Sequence, residues 1–266
     1  MLAISSILIV LLSDAAAQER PKIEFVPNVQ HSIGTTADAY SPDGSLAVSA
    51  SDTTVKLWDV ATGRVLRTFV GHTAAVQAVA FLPNGKQVLS AGWDKTLKLW
   101  DISSGKTLHT FEGHTNVIKV IALSSDGAYA LSGSNDWTVK LWEVASGKLQ
   151  RTFNPGINSI ESIAFAPNGR RFLLGNTFGG TLQLWDVSSG QLLRTFKGHT
   201  GRVNSVAFTP DGTRALLGSE DKTLSLYEVA TGRVLRTFVG HADQVSSVAL
   251  LARRCSRRLW ERRRCA

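Results

Sequence analysis

Short runs in which apolar and polar side chains alternate recur along most of the chain, among them Thr-Val-Lys-Leu-Trp-Asp at 54–59 and Thr-Leu-Lys-Leu-Trp-Asp at 96–101. A period of two places the apolar side chains on one face of an extended backbone, so each run predicts a half-buried β-strand. Around the second run, four strand-like stretches lie between turn signals. They are Val76–Leu82 before Pro83-Asn84-Gly85, Gln87–Ala91 before Gly92, Thr96–Asp101 before Ser103-Ser104-Gly105, and Thr107–Phe111 before Gly113. Each of the four contains β-branched or aromatic residues, which favour strands.

The whole arrangement repeats. Trp58, Trp100, Trp142, Trp185 and Tyr227 follow one another at intervals of 42, 42, 43 and 42 residues. Gly-His recurs in the same register at 71–72, 113–114, 198–199 and 240–241, and an Asp-Gly or Asn-Gly turn at 43–44, 84–85, 126–127, 168–169 and 211–212. Four antiparallel strands per unit of about forty residues form the blade of a propeller. The predicted fold class is therefore all-β, a β-propeller of four-stranded antiparallel blades. Its units run 31–70, 71–112, 113–154, 155–197 and 198–239, with a partial sixth at 240–252.

These residues carry a resemblance. The Gly-His openings, the Ser-Pro-Asp-Gly turn at 41–44, the Leu-Ser-Gly-Ser strand at 131–134 and the Lys-Leu-Trp-Asp/Glu endings resemble WD-40 repeats over roughly 31–250. The resemblance implies that each regular blade is tied by a hydrogen-bonded set of His, Ser or Thr, Asp and Trp. Here that set is His72, Ser90, Asp94 and Trp100 in unit two, and His114, Ser132, Asp136 and Trp142 in unit three. Unit one offers His31, Ser49, Asp52 and Trp58, with Gln30 in place of the preceding Gly. Unit five keeps His199 and Asp221 but carries Leu217 and Tyr227 where Ser and Trp belong, so its network is expected to be broken. Unit four departs most: Pro155-Gly156 replaces Gly-His, Leu174 replaces Ser, and Phe178-Gly179-Gly180 fills a longer turn without Asp. Units two and three are expected to be the stiffest. The resemblance also implies seven blades in an intact parent, with Lys22–Val26 as a strand completing the last one.

Ser, His and Asp are also the residue types of a hydrolytic triad, but a nucleophile occurs once per site, whereas this trio recurs blade after blade beside a Trp. Structural bonding is the stronger reading. The histidines belong to different blades and lack the short spacing of a zinc site. No phosphate loop, dinucleotide fingerprint or haem attachment motif occurs, so no catalytic residue, metal or cofactor is expected. What remains is surface. By the resemblance, residues beside the second turn of each blade and near the start of its innermost strand crowd the mouth of the central channel. At those places stand Trp93, Asn135, Arg202 and Glu220, with Trp137 just beyond Asp136 and Phe178 in the altered turn. Aromatic residues and Arg are the types that become interaction hot spots. The plainer reading, that the aromatics only cover neighbouring turns, stays open.

The formal charge of +8 suggests nucleic acid only until it is divided along the chain. Residues 253–266 hold seven Arg and one Glu, or +6, while 18–252 carry only +3. Both cysteines, Cys255 and Cys265, lie in that tail, so the repeats contain no disulfide. The tail reads as a frame shift. Allowed codons for Leu250–Ser256, read one base later, spell Phe-Ser-Pro-Asp-Gly-Ala, which is how the sixth unit should continue. The competing reading is a basic arm for an anionic surface. At the other end, Leu2–Leu12 is apolar except for Ser5 and Ser6, and Ala15-Ala16-Ala17 follows. Residues 1–17 have the layout of a cleaved export signal, although no Lys or Arg precedes the apolar run.

The sequence thus predicts an exported, periplasmic or extracellular, non-catalytic scaffold for protein partners. No specific nucleic acid is expected, no membrane contact after signal cleavage, and self-association through open blade edges is possible. Two alternatives remain: a sensing or docking module of an exported enzyme whose catalytic domain is lost downstream, and nucleic-acid binding through the Arg-rich tail.

Overall fold

The structure, a computed structural model, describes residues 36–157, 159–176 and 180–250, and the backbone of 7–9. In chain order the strands begin with β1 (Ile7–Ile9). Blade one is β2 (Ala37–Tyr40), β3 (Leu46–Ser51), β4 (Thr54–Asp59) and β5 (Val65–Val70). Blade two is β6 (Val76–Phe81), β7 (Gln87–Gly92), β8 (Leu97–Asp101) and β9 (Thr107–Phe111). Blade three is β10 (Ile118–Leu123), β11 (Tyr129–Ser134), β12 (Val139–Glu143) and β13 (Leu149–Phe153). Blade four is β14 (Ile160–Phe165), β15 (Arg171–Asn176), β16 (Leu182–Asp186) and β17 (Leu192–Phe196). Blade five is β18 (Val203–Phe208), β19 (Arg214–Ser219), β20 (Leu224–Glu228) and β21 (Val234–Phe238), and β22 (Ser247–Ala249) follows.

Each blade is a four-stranded antiparallel meander in sequence order. The predicted strands of unit two coincide with the observed ones to within a residue at each end. The first strands of successive blades lie against one another, β2 on β6, β6 on β10, β10 on β14 and β14 on β18, and so line the inside of the array. β22 rests on β18 and β19 in the same way, at the place of a sixth first strand. It pairs in parallel with β1, in the register Ile7↔Ser247. The expected closing strand, Lys22–Val26, lies outside the described residues.

Two irregularities recur. In blades two to five the register slips near the head of the first strand, as between Val76 and Ala78. In all five blades it slips again where the third strand meets the fourth, as between Leu99 and Trp100, where the ladder skips Leu108. A bulge increases local twist, which a blade needs if its inner and outer edges are to point in different directions.

The core lies between blades. Each apolar cluster draws on two successive sheets, as when Val48, Val55 and Phe69 of blade one meet Val76, Phe81 and Trp100 of blade two. An aromatic pair marks each of the four seams between the five blades. Phe69 meets Trp100 at 5.6 Å between ring centroids, Phe111 meets Trp142 at 5.8 Å, Phe153 meets Trp185 at 6.1 Å, and Phe196 meets Tyr227 at 5.7 Å. Such pairs contribute roughly 0.5–1.5 kcal/mol beyond the area they bury. They also account for the Gly of Gly-His, because a Cβ on Gly71 would stand 3.1 Å from the Trp100 ring and one on Gly198 only 2.4 Å from the Tyr227 hydroxyl.

Candidate functional site

In blade two, His72 Nδ1 lies 2.7 Å from Asp94 Oδ2 and its Nε2 lies 2.6 Å from Ser90 Oγ, which accepts the Trp100 indole N–H at 2.7 Å. Blade three repeats this: His114 to Asp136 at 2.7 Å, His114 to Ser132 at 2.7 Å, and Trp142 to Ser132 at 2.8 Å. The proton bookkeeping closes with a neutral imidazole. Nδ1–H donates to the carboxylate, the serine hydroxyl donates to Nε2, and the serine oxygen accepts from the indole. Burial pushes both imidazoles below the ordinary histidine range against the pull of their Asp partners, which favours that neutral form.

Each Asp also closes its own turn. Asp94 accepts the Thr73 and Thr96 N–H groups and the Thr96 hydroxyl, and Asp136 accepts the same set from Thr115 and Thr138. Burial raises these carboxyls, but the His and Thr contacts outweigh it, so both titrate below the usual range. Although Asp-His-Ser in this order has triad connectivity, Ser90 and Ser132 have no exposed surface and each oxygen already accepts an indole N–H, which leaves no approach for a substrate carbonyl. The trio holds the sheet together.

The other blades depart from the set in different ways. Blade one keeps the bond from Trp58 Nε1 to Ser49 Oγ, at 2.7 Å. Asp52 does not stand where Asp94 does. The β3–β4 connection has only two residues between the paired Ser51 and Thr54, and Asp52 itself takes the left-handed backbone position (φ 49°). In blades two, three and five the loop is one residue longer and that position falls to the residue after the Asp: Lys95, Trp137 and Lys222. His31 and Phe178 lie outside the described residues.

Blade five holds His199 to Asp221 at 2.8 Å, but Leu217 leaves His199 Nε2 buried without a partner, the break expected from the sequence. Burial would raise Asp221, yet bonds from the Thr223 hydroxyl, His199 and the Thr200 N–H hold it at about 2. Blade four carries a substitute that the motif does not reveal. Gln183, two residues before the Trp, turns inward and accepts the Trp185 indole N–H at 3.0 Å, the task of serine elsewhere.

Trp93, Asn135 and Glu220 stand at equivalent places in blades two, three and five, on the rim formed by the turns between second and third strands. The backbone N–H groups of Trp93, Asn135 and Glu220 donate to the carbonyls of Ala75, Val117 and Arg202, just before β6, β10 and β18, at 2.8, 2.8 and 2.9 Å. Trp93 is 55% exposed, and its indole N–H is fixed by Gln77 Oε1 at 3.0 Å, on the innermost strand. Trp137 is 58% exposed and holds a left-handed backbone (φ 68°). Arg202 is half-buried, with its Nε buried and unpartnered. Nearby, Lys119 pairs across a seam with Glu161 at 2.9 Å, so those two charges neutralise each other. Among the described residues no group of His, Cys, Asp or Glu is arranged to hold a metal ion.

The repeat profile described as "WD domain, G-beta repeat" matches residues 29–59, 63–101, 105–143 and 190–228, more than half of the chain. The chain belongs to the WD-40 repeat family. The WD-40 matches leave out 144–189, which hold the fourth strand of blade three and the first three strands of blade four, the blade whose opening and serine differ. Similar curated proteins include a Lissencephaly-1 homolog of Dictyostelium discoideum, 51% identical over 49 residues, which are 18% of this chain and 12% of that protein. A second, from Heterostelium pallidum, is 39% identical over 59 residues, 22% of this chain and 14% of that protein. A Periodic tryptophan protein 2 homolog of Caenorhabditis elegans is 43% identical over 65 residues, 24% of this chain and 7% of that protein. The chain thus spans a small part of the curated relatives it matches.

Proposed function

We propose that this WD-40 chain is a rigid, non-catalytic platform for a protein partner, engaged at the rim that carries Trp93 and Trp137. Membership of a family of repeat scaffolds supports the general role. The observation that carries the rim is the pair of half-exposed indoles on adjacent blades, one held by a hydrogen bond and the other kept on a left-handed backbone. A large aromatic side chain already held by a hydrogen bond, as Trp93 is, loses little entropy on binding, which is what an interface anchor needs.

The test is positional cross-linking in cells of the source organism. A photoreactive residue at position 93 should trap a defined protein that the same residue at Ser103, in the turn after β8, does not. The trapping should be lost with Trp137→Gly. Equal capture from both positions would remove the rim from consideration.

The proposal also places the platform outside the cytoplasm, on the apolar run 2–12 and the alanines at 15–17. Fusing residues 1–30 to a reporter active only after export should give activity, and a silent fusion would withdraw the placement.

A further inference from the structure

Three seams between blades are closed by an arginine. Arg67 of blade one gives its two terminal nitrogens to the carbonyls of Ser103 and Ser104 in blade two, at 2.8 and 3.1 Å. Arg151 of blade three does the same to Ser188 and Ser189 of blade four, at 2.7 and 3.2 Å. Arg194 of blade four reaches Ala230 and Thr231 of blade five, at 2.9 and 2.7 Å. In each case the side chain crosses a turn glycine, Gly105, Gly190 or Gly232, so closely that a Cβ there would stand within 3.0 Å of it.

The seam between blades two and three lacks this clasp. His109 takes the arginine's place and lies over Gly147 in the same manner, at 3.6 Å from where a Cβ would be. Its ring is too short to reach the matching acceptors. The carbonyls of Ala145 and Ser146 accept no hydrogen bond from any described residue. A cleft of about 400 Å³ opens at this seam, bounded by Leu99, Leu108, His109 and Ala145 and by Asp126 of the facing turn. The corresponding cleft between blades four and five, where Arg194 is in place, is bounded by the turns together with Arg171 and Phe208 and reaches no residue of the fourth strand.

We propose that the cleft between blades two and three binds an arginine side chain presented by a partner polypeptide. The chain itself shows the geometry three times, since two successive turn carbonyls receive the two terminal nitrogens of one guanidinium. A planar fork satisfies that pair of acceptors, whereas a lysine ammonium offers one nitrogen. Leu99 and Leu108 supply apolar surface for the stem. Asp126 supplies the opposite charge: one carboxylate oxygen is taken by the Ser124 hydroxyl and the Ala128 N–H, at 2.6 and 2.9 Å, and the other accepts from none of the described residues. The site is independent of the rim described above.

The test is an NMR titration of the full chain with N-acetyl-arginine amide, alongside its lysine and citrulline counterparts. Arginine should shift the amides of Ala145, Ser146 and Gly147 and the His109 ring saturably. Citrulline, an uncharged isostere, should bind at least about tenfold more weakly, because hydrogen bonds from a charged donor are the stronger ones. His109→Arg should occupy the site from within and abolish the response, and Asp126→Asn should weaken it. If His109→Arg fails to fold, the citrulline and lysine arms and Asp126→Asn decide the matter. Equal response to citrulline, shifts mapping elsewhere, or an undiminished response in His109→Arg would each overturn the proposal.

Discussion

Ser90 and Ser132 each join two buried side chains through one oxygen, so replacing either with alanine strands an indole N–H and an imidazole nitrogen together. A buried group left without its partner costs about 1–3 kcal/mol. Ser90→Ala and Ser132→Ala should each lower the unfolding free energy by that much, read as a lower urea midpoint with the denaturant slope unchanged; a loss below about 0.5 kcal/mol would refute the shared-oxygen account. Leu217→Ser with Tyr227→Trp offers blade five the same joint. The pair should couple favourably by roughly 1 kcal/mol in a double-mutant cycle, even though Leu217→Ser alone removes buried apolar surface. The network also sets a pH dependence. His72 and His114 titrate lower in the folded chain than at the ordinary value of 6.5, so the unfolded chain binds the extra proton first. Their contribution is therefore complete above about 6.5 and is lost as pH falls below it. Asp221, held at about 2 against an ordinary 3.8, adds a second loss between those values. Stability measured from pH 8 to pH 2 should fall in these two steps, and a rise on acidification to pH 5 would contradict the sign. At this scale the sequence told much about blades two and three and little about blade four. Every His, Ser, Asp and Trp of the regular set was named by the WD-40 resemblance. Gln183 was not, because it occupies a place where blades two and three carry a lysine, Lys98 or Lys140, that reaches a threonine of the next strand, and only the folded sheet shows that the glutamine turns to the indole.

The turns between second and third strands show how one residue of length changes what a sequence motif means. Blades two, three and five use a longer loop in which the Asp precedes a left-handed residue, and blade one uses a two-residue loop in which the Asp is that residue. Counting back from the Trp places Asp52 and Asp94 alike, and only the pairing of Ser51 with Thr54 separates them. The strands themselves were legible, since alternation and turn chemistry fix their existence and their ends. Trp137 is the sharpest local conflict, because a bulky residue on a left-handed backbone is a conformational outlier where glycine would be at ease. Trp137→Gly should raise stability by roughly 0.5–1 kcal/mol while abolishing capture at the rim. Thermal denaturation and the cross-linking assay together check this. A destabilised variant would show that the indole serves the fold, and retained capture would show that it does not serve the partner.

Across the whole molecule, the blades behave as repeats that touch only their neighbours, so stability should be a sum of blade and seam contributions. The aromatic pairs and the arginine clasps are the seam contributions that can be removed one at a time. The clasping arginines stand in a recurring Leu-Arg-Thr-Phe at 66–69 and 193–196, found again at 235–238, and in Gln-Arg-Thr-Phe at 150–153. Periodicity alone could not say that the arginine reaches into the next blade, because that contact spans more than thirty-five residues and exists only after the sheets stack. Arg236 occupies the same place in blade five and instead lies over the Phe238 ring, 5.9 Å from its centroid. Four identical substitutions therefore separate a seam effect from a generic loss of surface charge. Arg67→Ala and Arg194→Ala, both half-buried, should each cost about 1 kcal/mol, and the exposed Arg151→Ala somewhat less. Arg236→Ala should stay within about 0.5 kcal/mol of the parent. Hydrogen exchange locates the effect. Arg67→Ala should lower protection in β5 and in the turn after β8 and leave blades four and five unchanged, because coupling in a one-dimensional array decays from neighbour to neighbour. If all four variants lose equal stability, or if Arg67→Ala loosens every blade alike, the clasps do not close individual seams and the molecule unfolds as one indivisible unit.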